Sequence, residues 1–97
     1  MLTGKQKRFL RSKAMTMDAL YQIGKDGLGK NFIKQIDDAL EARELIKISV
    51  LKNCADDPRE LAEVIAERTR SQVVQVIGKK IVLYKEGKDK NKKIVLP

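Results

Sequence analysis

Histidine is absent from this 97-residue chain, and cysteine occurs once, at position 54. Without histidine the chain lacks the commonest general base and the commonest metal ligand. It also lacks any Ser-His or Cys-His nucleophile pair. A single cysteine excludes an intramolecular disulfide and a cysteine metal cluster. Cys54 reads as an unreactive residue just after a strand. No convergent nucleophile and base is visible, so no catalytic residue, metal ligand or cofactor is expected, and no enzyme. Aromatic residues are also few: two Phe, two Tyr and no Trp. Phe9 and Phe32 fall at core positions, which argues against a platform for stacking bases. No apolar run approaches a membrane span, and no signal-peptide-like stretch follows Met1. A soluble cytoplasmic protein is the expectation, without a small-molecule substrate.

What the chain has in excess is positive charge. There are 21 basic and 13 acidic residues, a net charge of +8. In a single domain this small, that bias favours a polyanion, most often nucleic acid. Residues 1–17 carry +5, residues 18–34 carry +1, residues 35–85 are neutral, and residues 86–97 carry +2. The excess lies at the two ends of the sequence, a segregation that mere solubility does not require.

Hydrophobic periodicity gives the order α-β-α-β-α-β-β. Thr3 to Ala14 is predicted as a helix capped by Thr3. Phe9 and Leu10 form a narrow apolar stripe there, with Lys5, Lys7, Arg8, Arg11 and Lys13 on the other faces. Basic groups in the first turn oppose the helix dipole, which suggests another use for them. Asp18–Ile23 reads as a short strand. Leu28, Phe32, Ile33, Ile36, Ala39 and Leu40 recur at helical spacing, so a second helix runs to about Arg43. Leu45–Leu51 alternates as a half-buried strand, with Lys47 and Ser49 facing away from the core. Asp57-Pro58-Arg59-Glu60 starts a third helix in the manner of a capping box, burying Leu61, Val64 and Ile65. Val73–Ile77 and Ile81–Tyr84 form a hairpin about Gly78-Lys79-Lys80. Residues 86–93 read as a mobile basic segment, and residues 94–97 as a docked extra strand. The fold class is α/β of α+β-like character: one domain, one four-stranded mixed sheet, right-handed crossovers. No second apolar surface is evident, so a monomer is expected.

The centre of interest is Ile23-Gly24-Lys25-Asp26-Gly27-Leu28-Gly29-Lys30. It passes from strand through a glycine-rich turn to a helix N-terminus, where free backbone N–H groups and the helix dipole attract an anion. The glycine order does not fit the dinucleotide-binding G-x-G-x-x-G pattern. A nucleotide-triphosphatase P-loop also fails, because Asn31 follows Gly29-Lys30. Gly24-Lys25-Asp26-Gly27 does match a G-x-x-G clamp of the kind that grips a nucleic-acid backbone in KH domains. The KH loop lies between two helices, however, and here a strand precedes it.

A second family fits more of the chain. The sequence resembles the CRM domain, specifically its stand-alone bacterial YhbY type. The resemblance rests on Lys5-Gln6-Lys7 with Leu10-Arg11, on Ile23 through Leu28, and on Ala39-Leu40-Glu41. It continues through Glu44-Leu45-Ile46-Lys47-Ile48, Val76-Ile77-Gly78-Lys79, Val82-Leu83-Tyr84 and Lys93-Ile94-Val95-Leu96-Pro97. It implies a fold similar to the C-terminal domain of translation initiation factor three. It also implies an RNA-binding protein associated with precursors of the large ribosomal subunit. The family's RNA contacts carry over to Gly24, Lys25, Asp26 and Gly27. Lys30, Lys34 and the helix residues Lys5, Lys7, Arg8 and Arg11 are the expected additions. One departure stands out: Gly29 occupies a position where the family usually has Ser or Thr. Two alternatives remain at this point. One is a basic module docking on an acidic protein; the other is a KH-like single-strand binder unrelated to ribosomes.

Overall fold

The computed structural model describes residues 2–87 and 94–97. The basic stretch read as mobile lies outside the described residues from Lys88 to Lys93. The observed order is α1 (Gly4–Ala14), β1 (Tyr21–Ile23), α2 (Lys30–Arg43), β2 (Leu45–Val50), α3 (Pro58–Thr69), β3 (Gln72–Ile77) and β4 (Lys80–Tyr84). The strands form one mixed sheet in the order β1-β2-β4-β3. β1 and β2 are parallel, and β4 runs antiparallel to both of its neighbours. The α+β architecture with three helices and a four-stranded mixed sheet is therefore the one expected.

Strand alternation divides the interior in two. Ile46, Ile48 and Val50 of β2, with Ile81 and Leu83 of β4, face α2 and α3. Leu45, Val82 and Tyr84 point the other way and pack with Leu10 and Ala14 of α1. β2 is consequently covered on both sides rather than half-buried. Lys47, expected to face solvent, lies beneath the end of α1. Its ammonium donates to the carbonyls of Ala14 (3.1 Å) and Met17 (3.3 Å), capping the negative end of that helix. This attachment also explains why β1 starts at Tyr21 and not Asp18. The chain is held against α1 through Met17 and reaches the edge of β2 only afterwards.

α1 starts with a full capping box: Gln6 N–H donates to Thr3 Oγ1, and Thr3 N–H donates to Gln6 Oε1. At α3 only half of the expected arrangement is seen, with Asp57 Oδ1 accepting from Arg59 N–H. The stripe buried by α3 is Leu61, Ala62, Ile65, Ala66 and Thr69. Val64, expected in the core, is 38% exposed. The two alanines let α3 approach the sheet closely along their own stripe, leaving Val64 at its margin.

The tail does not form a strand. Ile94 is buried and Leu96 packs on the α1-side core, but the anchor is a side chain. Glu44 is fully buried, and its carboxylate accepts from Gly87 N–H (2.6 Å) and Ile94 N–H (2.7 Å). Its own carbonyl accepts from Lys85 N–H. Glu44 ends α2 with a positive φ of 65°, an unusual conformation for a residue with a side chain. Nearby, Tyr84 is buried, and its hydroxyl has no hydrogen-bond partner among the described residues.

Candidate nucleic-acid interface

The site is built where β1 and β2 end. Because the two strands are parallel, the loops that follow them emerge side by side at one end of the sheet. After Ile23, the chain turns back at once, with Gly27 N–H donating to the Gly24 carbonyl at 3.0 Å. Gly27 sits at φ +64°, where a side chain would be strained. Lys25 and Asp26 form the exposed apex. α2 then starts from Gly29 in extended conformation, with no side-chain cap. Its first-turn N–H groups are thus not occupied by a capping side chain, beside the exposed Lys30.

The loop after β2 lies against this turn. Leu51 N–H donates to the Ile23 carbonyl at 2.8 Å, and a Cβ on Gly24 would stand 3.6 Å from both Asn53 Oδ1 and Leu51 Cδ1. The hairpin turn between β3 and β4 arrives at the same end, since β4 is antiparallel to β2. Val50 N–H donates to the Lys79 carbonyl at 2.7 Å, and Lys80 Nζ donates to Ser49 Oγ at 2.9 Å. Lys52, Asn53, Lys79 and Lys80, all exposed, therefore join Lys25 and Lys30 at one end of the sheet. Their charges come from three separate stretches of the chain.

These four residues were missed because their sequence neighbourhood is electrically balanced. Element order alone does not place them: the parallel pairing of β1 with β2 and the antiparallel pairing of β4 with β2 bring the loops and the hairpin turn to one end.

The other expected residues divide into two groups. Lys34 lies one helical turn beyond Lys30, and its ammonium is 3.7 Å from Asp38 in an exposed i,i+4 pair. Such a pair is worth only about 0.3–0.5 kcal/mol and leaves Lys34 available to another anion. Lys5, Lys7, Arg8 and Arg11 are on α1, which packs on β2 and β3 from the face opposite α2 and α3. Lys5 and Arg8 are exposed, while Lys7 and Arg11 are half-buried. The fold does not merge them with the glycine turn into one patch.

Negative charge also reaches this end, on the α3 side. Asp56 Oδ2 would stand 3.4 Å from a Cβ on Gly27. Asp56 and Glu60 line a cleft of about 250 Å3 with Leu28, Leu61 and Val64. No group of three or more Cys, Asp or Glu suited to a metal occurs among the described residues. No helix there is long and apolar enough to cross a membrane.

Residues 2–85 match the CRS1/YhbY (CRM) domain pattern. The chain belongs to the CRM domain family. Among CRM relatives, it is 61% identical over 97 residues to the probable RNA-binding protein YqeI of Bacillus subtilis, and the match covers both chains completely. An RNA-binding protein of Haemophilus influenzae is 32% identical over 96 residues, covering 99% of this chain and 95% of the relative. Among solved structures, the CRM fold here is similar to the solution structure of the hypothetical protein SAV1595 from Staphylococcus aureus. The TM-score is 0.82 and the identity 62%, with both chains fully covered.

Proposed function

We propose that this CRM protein binds RNA without catalysing a reaction on it. One observation carries the reading: a glycine turn, an uncapped helix N-terminus and lysines from three stretches of the chain converge at one end of the sheet. Backbone N–H groups at the start of α2 and the Gly24–Gly27 turn approach phosphate oxygens. Lys25 and Lys30 neutralise the adjoining phosphates, and Lys34 lies one turn further along. The names of the relatives support RNA as the polyanion. A folded RNA, large enough to curve around the domain, also meets Lys5, Lys7, Arg8 and Arg11 on α1. The CRM resemblance points to the large ribosomal subunit or its precursor particle as that RNA, with the protein acting in assembly as a soluble cytoplasmic monomer.

With so few aromatic side chains, recognition rests on phosphates and shape, and affinity falls steeply with salt. Roughly five phosphate contacts on single-stranded RNA give a log–log slope of about −3.5. Gly24 can accept a side chain without backbone strain, so Gly24→Glu and Lys25→Glu should both fold and both bind RNA more weakly. Filter binding across a salt series, with circular dichroism as the folding check, measures this. Undiminished affinity in the folded double variant would refute the loop assignment. Co-sedimentation with large-subunit precursors should be abolished by nuclease; persistence after nuclease favours an acidic protein partner.

A further inference from the structure

The sheet face under α1 is only partly covered. At the loop end, register places four residues in one row across the strands: Gln22 opposite Ser49, Ser49 opposite Lys80, and Lys80 opposite Ile77. All four lie on the α1 side, since the residues that alternate with them (Ile23, Ile48, Val50, Ile81, Val76) pack with the α2–α3 core. α1 stops short of this row. Gln22 and Lys80 are exposed and Ile77 is 58% exposed, while Ser49, bonded to Lys80, is buried, so the accessible part of the row is Gln22, Lys80 and Ile77. Next to the row, a groove of about 340 Å3 is lined by Ala14, Met15, Lys47, Gln75, Ile77 and Val82, with Met15 81% exposed.

Charge gives this open row a polarity. Lys80 holds Ser49 with one N–H and keeps two donors for a ligand. Lys79 follows at the turn. Asp26 stands at the apex of the glycine turn itself, while Asp56 and Glu60 line the cleft on the opposite, α3 side. An RNA strand leaving the glycine turn is therefore repelled on the α3 side and attracted on the α1 side. The span from β1 to β4 is two strand spacings, about 10 Å, so the row begins next to Gly24.

We infer that the RNA strand gripped at Gly24–Gly27 continues across the row Gln22–Ser49–Lys80–Ile77 to the hairpin turn. Its phosphates meet Lys79 and Lys80, and a neighbouring base lies in the groove against the aliphatic surface of Ile77 and Met15. This path rests on the RNA-binding reading above and adds its direction. It sets the hairpin, rather than α3, as the second arm of the interface.

The test uses the full chain with a fluorescently labelled oligouridylate in a salt series. Lys79→Glu/Lys80→Glu should lower affinity roughly tenfold and flatten the salt slope by about 1.4, equivalent to two lost phosphate contacts at ~0.7 each. Arg43→Glu/Arg68→Glu, the same charge change in the last turns of α2 and α3, should stay within about twofold of wild type. Ile77→Ser should weaken binding roughly threefold while leaving the salt slope unchanged, because it removes apolar contact only. If the hairpin pair, shown folded by circular dichroism, binds like the Arg43/Arg68 pair while Lys25→Glu still weakens binding, the path is wrong and the RNA reading stands. If Lys25→Glu also binds normally, both fail. Wild-type affinity in Ile77→Ser overturns the base contact.

Discussion

The two ends of the sheet handle the same chemical groups in opposite ways. At the end where β2 starts, backbone N–H groups of Gly87 and Ile94 converge on a negative charge that the protein supplies itself, the buried carboxylate of Glu44. At the end where β2 stops, the first-turn N–H groups of α2 converge with lysines, and no side chain caps them. The closed end uses its donors within the fold; at the open end no side chain caps the start of α2. Cation placement follows the same division. Lys47 is committed to carbonyls at the end of α1, whereas Lys25, Lys30, Lys52 and Lys79 are exposed at the loop end. A basic residue is therefore a candidate contact only when the fold has not already used it.

Substitutions can break this contrast or sharpen it. The largest effect should come from Glu44→Ala, which strips the buried Ile94 N–H and the part-buried Gly87 N–H of their acceptor. It should destabilise the domain by about 3 kcal/mol in urea unfolding, while the variant, measured under folding conditions, keeps its RNA affinity. An unchanged unfolding midpoint would remove the distinction between the ends. Gly27→Ala should act at the open end. The left-handed backbone costs about 1 kcal/mol, and the added methyl presses toward Asp56. Here thermal stability and RNA affinity should fall together, since the strained residue belongs to the turn itself.

The smallest effect is expected from Tyr84→Phe at the closed end. Burial, followed by the charges of Glu44 and Glu86, raises the Tyr84 hydroxyl above its ordinary value of 10.0. The folded state therefore holds this proton more tightly than the unfolded chain. The resulting stability is fully present below pH 10 and is lost as pH rises through the raised folded value. Tyr84→Phe should be neutral or slightly stabilising at pH 7, because it deletes a buried hydroxyl without a partner among the described residues. It should also lose less stability than wild type above pH 10. Denaturation at neutral and alkaline pH measures both; a clear loss at pH 7 would reveal a hydrogen bond to that hydroxyl.

Several features were legible because their signals are local. Thr3 caps α1, Pro58 opens α3 and Gly78 turns the hairpin within a few residues of the elements they serve. The apolar spacing of α2 and the alternation of β2 placed those elements nearly to the residue. α2 ends at Arg43, where its apolar spacing put it, whereas the end of α3 had no marker in the sequence. The chain leaves both helices through positive φ at Glu44 and Arg70, where glycine would have been the visible marker. Val64 sat in the right period for the core, yet the neighbouring alanines set the contact stripe. The tail's apolar residues suggested a strand, but a carboxylate fifty positions away in sequence took the Ile94 N–H.

For the candidate site, Gly24–Gly27 and Lys30 stood out because glycine spacing and a helix start are sequence patterns. The sequence by itself determined the order of elements, the glycine turn and the excess of positive charge, because each depends on residue type and short spacing. Only the tertiary structure decided which charges share a surface. Parallel pairing of β1 with β2 and the reversal at Gly78 carry Lys52, Lys79 and Lys80 to the turn from a stretch of zero net charge, since electrostatic fields add in space and not along the chain.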